Sequence, residues 1–187
     1  MNPSISFENK GIRLRALEPA DIDLLYSWEN DPNIWKLSNT LTPFSRHSIE
    51  QFVKNAQADI YQSRQVRWMI DLKSKDKTET IGTIDLFDFD PLHRRAGMGI
   101  LIQDSNNREK GYANSALKVL LEYSFRILEL HQLYCNISEK NISSLALFRK
   151  QGFKVVGEKK EWIYENEEWQ SEFLLQLIRN DYLLKIN

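Results

Sequence analysis

Apolar and polar side chains alternate at Ile12-Arg13-Leu14-Arg15-Ala16, which predicts a half-buried first strand. Pro19 then suits a first helical position, with Asp21 and Asp23 near the positive end of the dipole and Ile22, Leu25 and Trp28 along one side. Asp31-Pro32-Asn33 breaks this helix. After Thr42-Pro43 a second helix is expected from about Ser45 to Tyr61, carried by Ile49, Phe52, Val53, Ala56 and Ile60, and the segment between the helices reads as a loop. Val66 to Leu72 and Thr80 to Phe87 read as strands joined by a polar turn, and Arg94 to Ile102 as a third after Asp90-Pro91. A helix follows to about Leu128, with Ala113, Ala116, Leu117, Leu120, Leu121, Ser124 and Leu128 forming one small-to-apolar face. Gln132 to Ser138 is then a strand, Ile142 to Gln151 a short helix, and Phe153 to Tyr164 and Trp169 to Ile178 the last two strands.

The order β-α-α-β-β-β-α-β-α-β-β, without repeats or a linker, predicts an α/β (α+β) fold in which a mixed sheet carries helices on both faces. Residues 1–187 make one domain, with a core from about 11 to 180. Glu167 is a poor second residue for a tight hairpin turn, so a longer loop is expected between the last two strands. Hydrophobic residues are 42% and charged residues 27% of the chain, and Lys+Arg 25 nearly balances Asp+Glu 26, which argues against a nucleic-acid partner. No apolar run approaches the roughly 20 residues that span a bilayer and no secretory leader is evident, so neither a membrane nor export is expected and the chain belongs in the cytoplasm. The single cysteine, Cys135, lies in an apolar strand and reads as core.

The run Arg108-Glu109-Lys110-Gly111-Tyr112-Ala113 joins the apolar strand ending in Leu101-Ile102 to the long helix. A strand, a glycine turn with small residues at its exit and a helix start present free backbone N–H groups to a phosphate, and a glycine lets the backbone approach closely. A plain strand-to-helix turn explains the same residues when they are taken alone. The second informative stretch runs from Asn141, a good N-cap, to Gly152, a good helix stop, with Phe153 restarting an apolar strand. Together, in this order and with one strand between them, the two stretches resemble the Gcn5-related N-acetyltransferase (GNAT) family. The likeness is nearest to bacterial spermidine acetyltransferases, then to ribosomal-protein alanine acetyltransferases, and includes the run Asp88-Phe89-Asp90-Pro91-Leu92-His93-Arg94-Arg95-Ala96.

The resemblance implies acetyl-CoA as cosubstrate, no metal, and a splayed central strand pair. Arg108, Lys110, Gly111, Tyr112 and Ala113 would form the pyrophosphate turn, Leu101 and Ile102 would offer main-chain groups to the pantetheine and an oxyanion donor, and Asn141 would bond the cofactor as well as cap its helix. Asp85 and Asp88 would be the catalytic carboxylates, holding a cationic amine and taking its proton. Trp28, Glu29, Asp31 and Trp35 would flank the acceptor, since aromatic faces and acids together suit a cation. The implied reaction is acetyl transfer to a primary amine, with a polyamine such as spermidine first. A protein N-terminus or an amino sugar remains open as acceptor, as does a coenzyme A-binding module without catalysis, and the resemblance also allows a homo-oligomer. One departure stands out: where the family usually has a tyrosine as acid for the leaving thiolate, this chain has Phe148.

Overall fold

A computed structural model describes residues 6–38, 40–75 and 77–186, with side chains except at 36–38 and 186; positions 1–5, 39, 76 and 187 of the expected domain lie outside the described residues. The described strands are β1 (Glu8–Asn9), β2 (Ile12–Ala16), β3 (Val66–Lys73), β4 (Thr78–Asp90), β5 (Arg95–Ile102), β6 (Gln132–Ser138), β7 (Lys154–Glu165) and β8 (Glu168–Ile178). The helices are α1 (Ile22–Glu29), α2 (Pro32–Ser38), α3 (Arg46–Asn55), α4 (Ile60–Ser63), α5 (Tyr112–Arg126), α6 (Ile142–Gln151) and α7 (Arg179–Ile186). The strands form one sheet in the order β1-β2-β3-β4-β5-β6-β8-β7. Every pairing is antiparallel except β5 with β6, which are parallel.

Alternation along β3 shows how the sheet serves two cores. Trp68 and Ile70 join the large cluster built with Leu117, Leu120, Leu121 and Phe125 of α5 and Leu145 and Phe148 of α6. Met69, between them, points the other way into a smaller cluster with Leu25 of α1 and Ile49 and Val53 of α3. Helices therefore cover both faces, as the mixed pattern predicts. Cys135 is buried in the large core, where burial pushes its thiol well above the usual range, in keeping with a packing role. Tyr182 of α7 stacks on Phe125, so the last helix closes the same core.

Four local expectations need correction. The first helix does end at Glu29, just before Asp31-Pro32-Asn33, but Pro32 also opens α2, with Asp31 accepting the Asn33 N–H at 2.9 Å as an N-terminal cap, so the expected loop is partly helix. The expected helix from Ser45 to Tyr61 is divided, because Asp59 accepts the N–H groups of Tyr61 and Gln62 and starts the short α4. Ile60 thereby enters the large core while Ile49 and Val53 stay in the small one. The last hairpin is tight: Glu165 pairs with Glu168, and Asn166 and Glu167 both take positive φ, at 52° and 64°. Sheet pairing and the Tyr164–Trp169 ring contact across the hairpin, at 5.1 Å, outweigh the strain of a left-handed glutamate. Finally, β1 and α7 go unannounced in the sequence, being too short or too polar to show a period.

Away from the wedge described below, between β2 and β3, Asp71 is 1% exposed and anchors a clamp. It accepts from Arg13 at 2.7 Å, from Arg15 Nε at 3.1 Å and from Thr80 at 2.9 Å. Arg15 reaches on to Asp21 with bonds of 2.7 and 2.8 Å. Burial pushes the Asp21 carboxyl up, but Arg15 and the Glu18 N–H outweigh it and hold the group below its usual range. A carboxyl depressed in the folded state contributes stability that is complete above its unfolded value, about 3.9, and fades as pH falls through its folded value. Asp21→Asn should therefore lower stability at pH 7 by about 1–2 kcal/mol in urea unfolding, with the gap to wild type closing towards pH 3.

Candidate active site

The site begins where two strands part. β5 and β6 pair only at Arg95–Gln132, Ala96–Leu133 and Gly97–Tyr134. Beyond that point β5 continues against β4 as far as the Gly82–Ile102 pair, and β6 continues against β8 as far as Ser138–Glu172. A wedge opens between Met98–Ile102 and Cys135–Ser138. Because the two strands are parallel, their carboxyl ends lie on the same side, and each leads into a helix whose N-terminus borders the open end.

The turn before α5 has the geometry of an anion cradle. Glu109 and Gly111 take positive φ, at 59° and 83°, and Gly111 is the N-cap of α5 with no side chain to accept the first N–H groups. A β-carbon built on Gly111 would meet nothing within 4 Å, so open space faces these donors. The Glu109 side chain is exposed, as expected. Arg108 turns inward: its Nε donates to the Ile102 carbonyl at 3.0 Å and its Nη2 to the Gln103 carbonyl at 3.1 Å. That guanidinium braces the end of β5, while Lys110 beside it is exposed. Leu101 and Ile102 form the rim of the wedge. The Leu101 carbonyl leans so closely on β4 that a β-carbon at Gly82 would lie 2.0 Å from it, which only glycine allows. Asn141 caps α6, accepting from Ser144 N at 3.1 Å. Phe148 is 3% exposed and packs edge-on against Phe153, with ring centroids 5.1 Å apart.

The opposite face of β5 carries the charge. Asp85 lies opposite Gly99 on β5 and Arg67 on β3. Arg67 donates to both Asp85 oxygens, at 2.7 and 3.1 Å, and to Glu29 of α1, and it stacks over the Phe52 ring at 5.1 Å. Phe52, Arg67 and Asp85 line a cavity of about 130 Å³ with Gln65, Val66, Leu86 and Phe87. Burial pushes the Asp85 carboxyl up; Arg67 opposes the shift, and the nearby Glu29 adds to it. Asp88 sits at an irregularity of β4 with φ 50°, and its carboxylate accepts from the Tyr134 hydroxyl at 3.1 Å.

Of the residues named from sequence, the flanking Glu29 and the carboxylate Asp85 are brought together by Arg67. Trp35 donates to the Glu29 carbonyl at 2.7 Å, and Asp31 accepts from Gln103 at 3.2 Å, so both fasten the start of α2 to the site's wall. Trp28 is half-buried against the small core. Sequence reasoning missed Arg67, Gln103 and Tyr134. A charged residue inside the apolar run Val66-Arg67-Trp68-Met69-Ile70 was a usable signal, because such a side chain needs a partner. Arg67→Met should leave Glu29 and Asp85 as uncompensated neighbours and cost about 2 kcal/mol at pH 7 by urea unfolding. Asp85 then loses the cation that opposes its upward shift, so the deficit should shrink as pH falls towards 4.

Residues 12–154 match the family model described as Acetyltransferase (GNAT) domain. The chain is 26% identical over 175 residues to the spermidine N(1)-acetyltransferase of Vibrio cholerae, covering 94% of this chain and 97% of that one. It is 24% identical over 175 residues to the spermidine N(1)-acetyltransferase of Escherichia coli K12, covering 92% and 88%. Among solved structures, the Vibrio cholerae spermidine N-acetyltransferase in complex with CoA and spermine superposes with a TM-score of 0.81 at 26% identity, covering 94% of this chain and 99% of that one. A dodecameric structure of spermidine N-acetyltransferase from the same organism gives 0.78 at 25% identity, covering 96% and 100%.

Proposed function

The chain belongs to the GNAT acetyltransferase family, and on that premise we propose that it transfers the acetyl group of acetyl-CoA to a primary amine of a polyamine such as spermidine, by direct attack on the thioester. The observation that carries the acceptor class is the charge balance beside the wedge: Glu29 and Asp85 share the single guanidinium of Arg67, and Asp88 follows three residues on along β4. A face with that surplus of carboxylate suits a ligand bearing several ammonium groups. The spermidine substrates of the named relatives support the same reading.

The residues divide by substrate. For acetyl-CoA, the N–H groups of Gly111, Tyr112 and Ala113, with Lys110 beside them, take the pyrophosphate, and Arg108 holds the strand end in place. The rim at Leu101 and Ile102 guides the pantetheine and supplies an N–H towards the thioester oxygen, while Asn141 meets the cofactor from the second helix start. For the amine, Trp28, Glu29, Asp31 and Trp35 shape the approach. An alkylammonium with a pKa near ~10.4 must lose a proton to solvent before its nitrogen can attack, and Asp88, bonded to Tyr134 at the foot of the wedge, takes the proton that the nitrogen sheds as the amide forms. Asp85, fixed by Arg67, orients the cation. The buried Phe148 offers no proton to the thiolate.

A thiol-release assay with acetyl-CoA against spermidine, spermine, diamines, N-terminal peptides and amino sugars tests this reading. Turnover with spermidine or spermine is expected. Turnover confined to a peptide or sugar amine would overturn the acceptor, and coenzyme A binding with no turnover on any amine would overturn the enzyme. Gly111→Asp, which sets a carboxylate and a strained β-carbon in the cradle, should abolish the thermal shift caused by coenzyme A. Asp88→Asn should lower kcat about tenfold or more with the KM for acetyl-CoA held within about twofold.

Copies of the chain associate, we further propose, through the β7–β8 edge. β7 ends the sheet, and Trp162 and Trp169, each 60% exposed, stand on that hairpin with exposed Tyr164, Val155 and Val156. Light scattering should show an assembly larger than one chain, and Trp162→Lys with Trp169→Lys should reduce its mass.

A further inference from the structure

We propose that Tyr134 is a catalytic residue, the group that gives a proton to the departing thiolate of coenzyme A. The inference rests on the acetyl-transfer reading above. Leu133, Cys135 and Ile137 of β6 point into the large core, so Tyr134 between them projects from the opposite, amine-side face. It belongs to the last pair before the strands part, so it stands at the foot of the wedge. From Gly97 to the rim at Ile102 is five residues of β5, about 17 Å at about 3.3 Å each. An extended pantetheine arm is of comparable length, so coenzyme A anchored at Gly111 and laid along the wedge brings its sulfur to that foot.

The surroundings are built around the phenol. Gly97 has no side chain, and a β-carbon there would lie 2.3 Å from the Phe87 ring, which covers β5 and meets the Tyr134 ring edge-on with centroids 6.2 Å apart. The hydroxyl then reaches across β5 to Asp88 on β4 at 3.1 Å. Arg95 is the cation facing it from β5, and its partner on β8 is the uncharged Gln176. Burial and the Asp88 carboxylate push the phenol up to about 12, so it stays protonated where the enzyme works.

The proton balance closes within this pair. The ammonium first loses one proton to solvent; the neutral amine then attacks the carbonyl carbon, forming the C–N bond. As the C–S bond breaks, the second amine proton passes to Asp88, the Tyr134 proton passes to sulfur, and Asp88 returns its proton to the phenolate. The net transfer is one proton from nitrogen to sulfur, and Asp88 and Tyr134 end as they began.

Tyr134→Phe keeps the ring packing and removes only the hydroxyl. In the full chain, kcat with spermidine should fall tenfold or more, the KM for acetyl-CoA should stay within twofold, and the melting temperature should be unchanged. With 3,5-difluorotyrosine at position 134, a more acidic phenol of nearly the same size, the alkaline limb of kcat should move down by at least one pH unit. A Tyr134→Phe rate within twofold of wild type would overturn the proposal while leaving amine acetylation intact, and so would an unmoved alkaline limb with the fluorinated residue. A wild-type chain inert to every amine would remove the underlying reading and this inference with it.

Discussion

The constraint on which the rest depends is that β5 and β6 share only three paired positions before each commits to a different neighbour. Paired further, the sheet would be continuous and the surface closed. Instead two strands leave a wedge with backbone groups on both sides, and backbone groups removed from water need partners. At the rim that need is met from within: Arg108 satisfies the carbonyls of Ile102 and Gln103. Two glycines make the geometry possible. Gly82 lets the Leu101 carbonyl lean against β4, and Gly97 lets Phe87 lie across β5 at the foot.

The same residue types serve opposite ends at two places on one face of the sheet. Around Asp71, two guanidiniums meet two carboxylates, since Arg13 and Arg15 bind Asp71 and Arg15 also binds Asp21. Charge is balanced there, and the ensemble locks β2 to β3. Around Arg67, one guanidinium meets Glu29 and Asp85, with Asp88 close by on the same strand as Asp85. Negative charge is left over. Burial holds Asp85 up and a neighbouring acid adds to the effect, so this face resists further anion and attracts cation. The clamp satisfies itself; the site does not.

The sequence made legible what local rules govern. Gln132–Ser138 and Ile142–Gln151 form as the alternation and the Asn141 and Gly152 punctuation predict, and Gly111 caps α5 at a positive φ. Errors arise where a local signal has two meanings. Pro32 is equally a helix breaker and a helix opener, and the Asp31 cap decides in favour of the second. Glu167 is unfavourable in a tight turn, yet the pairing of Ile163–Glu165 with Glu168–Gln170 beside it imposes it. On the donor side, seven of the eight candidates fall between Leu101 and Ala113 and were readable as a motif. On the acceptor side, Arg67, Asp88 and Tyr134 come from three strands, and nothing in their local sequence announces that they meet.

That asymmetry bears on the departure at Phe148. The side chain at this position is mounted on α6 and here is committed to the large core against Phe153, on the face of the sheet away from Asp88. A hydroxyl placed there meets only the donor. On the proposed reading the two substrates approach the wedge from opposite faces, and a side chain at the foot, where the pairing ends, reaches both. Tyr134 occupies that position and is already bonded to Asp88. A proton path that runs between acceptor and leaving group is shorter through one strand residue at the foot than through a helix residue on one side. Loss of a hydroxyl on α6 is therefore compatible with chemistry, because the opening of the sheet itself supplies another.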